Sequence, residues 1–536
     1  MATPHTQTVS APTPDAPRIP TLRIWLSSFI LFSVLSGLWA LASPIFSVPD
    51  ENAHAVKAIG QLQGQVFGRT VEGVRHLVVD LAPEDQYTQD LLCYATHPEV
   101  PAACDAELGD PGGQLWFNTW VGTYNPLYYY IVGWPTVFLD GNAGVYAMRL
   151  VSALVGSAFL ASAFVFAVVG RRSRWMPLGV AFAAVPMNLY LMGSVNPNGL
   201  EIAGSVALWV GVLRLFETFD REHADASTLH RAPLWALVTV SAIVVANVRA
   251  LGPLWVVVIV ALAAITAGWK PVHRLFTTRA NWVWLAAIAA GAVFSVAWTL
   301  GGGSLSGQAQ SGDAPLVGAS LLRGAAYMVR TTPDFLQQAA GWFGWFDTVL
   351  PTWAYWPLVA AVAVPLTLAL SALRRRATMV MAVVLAAAFL VPVVVQARSV
   401  AQTGIIWQGR YGLFLYLGVL IVAAWLLSGR DGRRIGHLSV RITAIAATLV
   451  AAFGLYAFWF ALVRYVVGME KPLSAMWRDP QWQPPLGWPA LTLVFTAASA
   501  AYVVFVVWLA RGTARRETDP QPDQLAPEAE RVDARD

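Results

Sequence analysis

Residues 43–68, SPIFSVPDENAHAVKAIGQLQGQVFG, follow the first long apolar run of the chain, residues 22–42. They set Asp50, Glu51, His54 and Lys57 at the mouth of a segment long enough to cross a bilayer, which takes about 20 predominantly apolar residues. Charge beside hydrocarbon costs about 2.5–3.5 kcal/mol per group on insertion scales, so its position carries information. Pro49-Asp50-Glu51 reads as a helix start, with Asp50 as the cap and His54 one turn on. It also reads as the floor of a polar site. The rest of the chain bears on the choice.

The 536 residues are 57% hydrophobic and 12% charged, with mean hydropathy +0.54. A soluble domain carries about 25% charged residues, so the expected class is an all-α polytopic membrane protein. The net charge of +4 is dispersed in short clusters between apolar runs and does not point to nucleic acid. The Pro-, Thr- and Ala-rich start lacks the charged region and cleavage site of a secretory signal, so the first run reads as a retained span. Twelve spans are expected: 22–42, 143–169, 175–194, 198–216, 233–249, 252–268, 281–300, 353–372, 377–396, 411–427, 440–463 and 489–510. Most of the 35 basic residues fall on one side of them, which by the positive-inside rule is expected to place both termini in the cytoplasm.

The resulting organisation is a tail at 1–21, a membrane domain at 22–510 and a second tail at 511–536, both tails disordered and cytoplasmic. Three extracytoplasmic segments are large: 43–142, 301–352 and 464–488. The first holds both cysteines, Cys93 and Cys104, and a pair confined to one such loop reads as a disulfide in an oxidising compartment. Residues 124–139, YNPLYYYIVGWPTVFL, are apolar but short and broken by Pro126 and Pro135. They read as a re-entrant or interfacial helix with its aromatic side chains at headgroup depth.

Polar residues of mixed sign crowd the outer ends of the spans. Beside Asp50, Glu51 and His54 these are Arg149, the Asn198 and Glu201 turn, Arg249, and the pair Arg398 and Arg410. Each has a plainer reading, as a helix cap or a snorkelling anchor. Their convergence on one face points to a polar site there.

SPIFSVPDENAHAVKAIGQLQGQVFG, YNPLYYYIVGWP, WFGWFDTVLPTW and QGRYGLF together resemble a large bacterial family of predicted GT-C-like membrane proteins. More broadly, the Asp-Glu pair after span one, the NPLYYY and a span carrying YAMRL resemble the GT-C superfamily of membrane glycosyltransferases, such as the protein O-mannosyltransferases and lipid A aminoarabinose transferases. The resemblance covers roughly residues 22 to 470. It implies a sugar transferred from a polyprenyl-phosphate donor to a cell-envelope polysaccharide, lipid or protein acceptor on the extracytoplasmic face, with inversion. It assigns Asp50 as catalytic base, with Glu51 and His54 orienting the acceptor or tuning it. Arg410, Arg398 and Arg249 would bind the donor phosphate; Arg149, Asn125, Tyr128, Glu201 and Asn198 would line the substrate. No compact metal-ligand spacing points to a bound metal, although the resemblance leaves room for a divalent cation, which some relatives use. One departure is plain: Asn125-Pro126-Leu127 stands where the mannosyltransferases have His-Pro-Pro-Leu, and His54 would replace that histidine. Two rivals remain, a transporter or flippase for a lipid-linked envelope precursor and a non-catalytic scaffold. The near absence of charge in the middle of the spans counts against transport.

Overall fold

The computed structural model describes residues 20–87, 93–104, 116–220, 231–304 and 314–518. Helix α1 (Thr21–Ala42) is followed, after an irregular stretch, by α2 (Glu51–Leu62). The first long connection then contributes β1 (Leu77–Asp80), β2 (Trp116–Thr119) and α3 (Leu127–Gly133). The two strands pair antiparallel with Leu77 opposite Thr119. Next come α4 (Gly141–Val168), α5 (Met176–Ala181), α6 (Pro186–Met192), α7 (Pro197–Thr218), α8 (Arg231–Val248) and α9 (Gly252–Ala267). At Gly268 the chain bends by 118° into α10 (Trp269–Thr277). Gly268 has φ +89°, a left-handed conformation that favours glycine.

After α11 (Trp282–Gly301), the second long connection holds α12 (Leu321–Arg330), α13 (Thr332–Gly341) and the hairpin of β3 (Trp342–Phe343) with β4 (Thr348–Val349). The chain ends with α14 (Trp356–Ser371), α15 (Arg375–Thr403), α16 (Leu413–Leu427), α17 (Ser439–Val467), the short α18 (Ala475–Arg478) and α19 (Trp488–Thr518).

Each of the twelve expected spans falls on helix. Among the described residues, ten helices are long and apolar enough to cross a membrane, or eleven with the bent α9–α10 pair. The expected span at 175–194 is instead broken into α5, one 3-10 turn and α6. Pro186 cannot donate to the preceding turn, and Asn188 Nδ2 takes up the Ala183 carbonyl at 2.7 Å. The two small two-stranded sheets were not legible in an all-helical reading; their strands are short and sit inside the long connections. Residues 511–518, expected in the second tail, instead continue α19, which runs on to Thr518. Thr513 and Arg516 in that extension donate to the carbonyls of Arg174 and Val168. Residues 1–19 and 519–536, and with them most of both expected tails, lie outside the described residues.

Every residue of α7 except Glu217 is buried, and every residue of α16 except Tyr416. A helix that is buried all round belongs in the centre of a bundle, and these two form it. In α11 only Ser295 and Thr299 are buried, while Val283, Val293 and Leu300 are exposed, as befits a lipid-facing helix. The central helices end where the polar cluster begins, at Pro197 of α7 and Leu413 of α16.

Candidate active site

The irregular stretch between α1 and α2 is buried, so its backbone carbonyls need partners. Five side chains from other parts of the fold supply them. Arg149 of α4 donates to the carbonyls of Ala40, Ser43 and Pro44 at 2.7–2.8 Å. Tyr94 donates to Ile45, Trp345 to Phe46, Tyr190 to Ser47 and Asn196 to Pro49. The remaining Arg149 N–H groups engage both oxygens of Glu51, at 2.8 and 2.6 Å, and Val195 N donates to Glu51 Oε1 at 2.9 Å. Arg149 and Glu51 are both fully buried. This strap fixes the backbone from which Asp50 projects.

Asp50 stands at the N-cap position of α2, but its side chain does not cap the helix. It sits at the N-terminus of α2 with φ 68° and ψ −2°, and its side chain makes no capping hydrogen bond. For a non-glycine residue that conformation costs of order 1 kcal/mol, with Asp and Asn the residues that tolerate it best. It turns the carboxylate outward: Oδ2 lies 2.8 Å from Arg410 Nη2, and Oδ1 accepts from Trp120 Nε1 at 3.3 Å. The Asp50 side chain is 30% exposed.

Arg410 lies in the turn that opens α16, and its side chain is almost entirely buried. Its position depends on Gly409, where a Cβ would lie 1.9 Å from the Phe335 carbonyl oxygen, so only glycine lets this turn seat against α13. Arg410 Nε is buried without a hydrogen-bond partner. Arg249, in the turn between α8 and α9, donates to Asn198 Oδ1 and stands 3.8 Å from Glu201 Oε2. Both guanidinium groups lie over the Tyr411 ring, at 4.1 Å for Arg249 and 5.4 Å for Arg410. Phe346 flanks Arg410 at 5.7 Å. His54, one turn into α2, shares a 2.8 Å hydrogen bond between Nδ1 and the Tyr129 hydroxyl and packs edge-on to Tyr124. Burial, and then the positive charge of Arg249 and Arg410, hold the imidazole well below its usual pKa. It is neutral at pH 7. Lys57, one turn further on, donates to the Val66 carbonyl, and burial brings its ammonium down to about 8.

The result is an acidic group and two guanidinium groups from three separate parts of the chain, walled by Tyr124, Tyr129, Tyr411 and Phe346, at the mouth of the helical bundle. Residues 32–419 match the family described as Predicted membrane protein (DUF2142). The chain belongs to that family. It is similar in structure to ArnT from Cupriavidus metallidurans bound to undecaprenyl phosphate, at 15% identity and TM-score 0.42, over 92% of this chain and 77% of that one. It is likewise similar to ArnT from the same organism in the apo state, at 14% identity and TM-score 0.41, over 92% and 78%. No curated protein matches.

The structure brings together Asp50, His54, Arg410, Arg249, Asn198 and Glu201 from the expected site residues of this family member. It does not bring in the others. Glu51 and Arg149 are framework, because each spends its bonding capacity on the other and on the strap. Asn125 donates to Asn247 Oδ1 at 2.8 Å and accepts from Leu127 N, so it ties α3 to α8. Tyr128 is fully buried with its ring edge-on to Tyr129. Arg398 is exposed near the end of α15, on the solvent side of a helix whose inner face carries Gln396. Cys93 is disulfide-bonded. Sequence reasoning missed Tyr129, Tyr411 and Trp120 as site walls, and it missed the second strap, where buried Arg464 reaches Asp347 at 3.0 Å and the carbonyls of Tyr94 and Val100.

A divalent cation does not fit these residues. Asp50 faces a guanidinium, Glu51 is consumed by Arg149, and among the described residues no three His, Cys, Asp or Glu side chains are grouped to hold a metal.

Proposed function

We propose that this protein is an integral membrane glycosyltransferase that takes a sugar from a polyprenyl-phosphate donor and passes it, with inversion, to a cell-envelope acceptor at the extracytoplasmic face of a bacterial plasma membrane. The observation that carries this reading is the pairing of Asp50, whose side chain serves no capping role, with an Arg410 whose buried Nε has no partner. A buried donor without an acceptor costs about 1–3 kcal/mol, and a phosphate oxygen would repay it.

In the reaction, the acceptor hydroxyl approaches the sugar C1 from the face opposite the phosphate. Asp50 accepts the hydroxyl proton as the new C–O bond forms and the bond to the phosphate oxygen breaks; the electron pair leaves with polyprenyl phosphate. Arg410 and Arg249 stabilise the charge that develops there, a task that planar two-pronged donors perform better than ammonium groups. An arriving phosphate competes with Asp50 for Arg410 and so frees the carboxylate as the donor docks. Neutral His54, held by Tyr129, orients the acceptor without adding a third positive charge. Site and lipid tail both belong at the membrane surface, which suits a donor that never leaves the bilayer.

The test is polyprenyl phosphate alone, titrated onto the purified protein and read as a rise in melting temperature. Arg410→Gln should abolish most of the rise, whereas Arg398→Gln should keep it. An equal rise in Arg410→Gln would remove the phosphate site from this cluster.

A further inference from the structure

At the other end of α15 from the Asp50 cluster, three arginines stand in a row, Arg374, Arg375 and Arg376. Arg374 is taken up by Asp431, with Nε to Oδ1 at 3.0 Å. Among the described residues, Arg375 and Arg376 have no acidic partner. They form the rim of a groove of about 510 Å³ between α9 and α15, whose walls are Ile265, Met379, Val380 and Val383. From Arg376 to Val383 the groove runs ~10 Å along the helix axis, at 1.5 Å per residue. Cations stand at one end and only apolar side chains beyond them.

The break in α9 shapes the rim. At Gly268 the chain turns away, and Arg376 Nη2 lies 2.5 Å from where a glycine Cβ would be, so the guanidinium rests against the bend. α10 then runs off across the axis of α9, with Trp269 75% exposed beside Lys270, His273 and Arg274. A short helix with basic and aromatic side chains, set across the axis of a span, belongs in the headgroup layer. The rim is thereby at the depth of lipid phosphates.

We propose that this groove is a binding site for an anionic glycerophospholipid of the leaflet opposite the Asp50 cluster. Its phosphate rests on Arg375 and Arg376, and one acyl chain lies along Ile265, Met379, Val380 and Val383. Charge complementarity selects this occupant. A second copy of the chain would bury two unpaired cations, and a soluble anion would leave the apolar trough bare. Basic pockets between spans are a recurrent form of anionic-lipid recognition. The inference is independent of the proposed transferase activity, since it uses the other end of the molecule.

Native mass spectrometry of the full chain, drawn from vesicles of phosphatidylglycerol and phosphatidylcholine in equal parts, tests it. The wild type should retain phosphatidylglycerol preferentially. Arg375→Gln/Arg376→Gln should lose about fivefold of that preference per arginine, the factor that about 1 kcal/mol for each basic residue near an anionic surface implies. Val383→Trp, which fills the trough and leaves the charge alone, should lose retained lipid of both kinds. Arg398→Gln, at the far end of the same helix, should behave as wild type. A wild type without preference overturns the site, as does an equal loss in Arg398→Gln or undiminished retention in Val383→Trp.

Discussion

Replacing Arg149 by Met separates framework from chemistry at the Asp-Glu pair. Five N–H groups of Arg149 end on Glu51 and on the carbonyls of Ala40, Ser43 and Pro44, all within 2.8 Å. Removing them strands three buried acceptors, each worth about 1 kcal/mol at the least, and a fully buried carboxylate. Breaking a buried pair by deleting one partner costs about 3–5 kcal/mol, and the carbonyls put this case at the upper end. Against a total stability of about 5–15 kcal/mol, the variant should melt far below wild type or fail to survive extraction. Glu51→Leu/Arg149→Met removes the orphaned charge as well and should regain about 1–3 kcal/mol, since paired residues are not additive. Thermal unfolding in detergent, followed by tryptophan fluorescence, measures both. Refutation would be a single variant that melts as wild type, or a double variant no better than the single. A folded Arg149→Met that had lost only activity would return the pair to the chemistry.

Arg410→Lys keeps the charge but not the two-pronged geometry, and sugar transfer should fall at least tenfold, read as kcat/KM with a lipid-linked donor. His54 is neutral because burial and two arginines lower its pKa, so its neutral form persists below the usual 6.5. The acid limb of the rate profile should therefore lie below pH 6.5; a limb at or above that value, abolished in His54→Gln, would contradict the placement. Asp85, buried and 3.3 Å from Gly141 N, is raised to about 6 by burial and by Asp140 and Glu84, against the bonds from Gly141 and Gln63. Its stabilising effect is fully present below its unfolded pKa of about 3.8 and is lost as pH rises through about 6, a difference of at most about 3 kcal/mol. Hydrogen-exchange protection around Asp85 and Gly141, taken relative to the intrinsic exchange rate at each pH, should thus fall between about pH 4 and about pH 7, and Asp85→Asn should flatten the change.

The helices were legible because hydrocarbon tolerates little but long apolar runs, and the spans follow from that alone. That Asp50, Arg249 and Arg410 gather at one end of the bundle was legible for the converse reason, since charge beside the bilayer is rare. Glu51 and Arg149 were misread because a buried structural pair and a reactive pair have the same residue types at the same depth. Only the count of hydrogen bonds on Arg149 tells them apart. Arg398 was misread through its neighbours in the chain: it lies two residues from buried Gln396 on the helix but on the other side of it. Tyr129 and Tyr411 were hidden in the aromatic excess of the membrane interface, although both stand inside quoted motifs, NPLYYY and QGRYGLF. The side-chain capping role open to Asp50 fails because its carboxylate is turned to Arg410 and Trp120, which no composition reveals.

The most direct measurement is sugar transfer by the purified protein from a panel of labelled polyprenyl-phosphate sugars to cell-envelope acceptors, with Asp50→Asn beside wild type. Asn keeps the size and tolerates the left-handed backbone, so the variant should fold. Transfer by the wild type and its loss by about 10²–10⁴-fold in Asp50→Asn, at an unchanged melting temperature, is the expected result. Equal transfer by the two proteins would contradict it, and the base would have to be sought outside the Asp50–Arg410 pair.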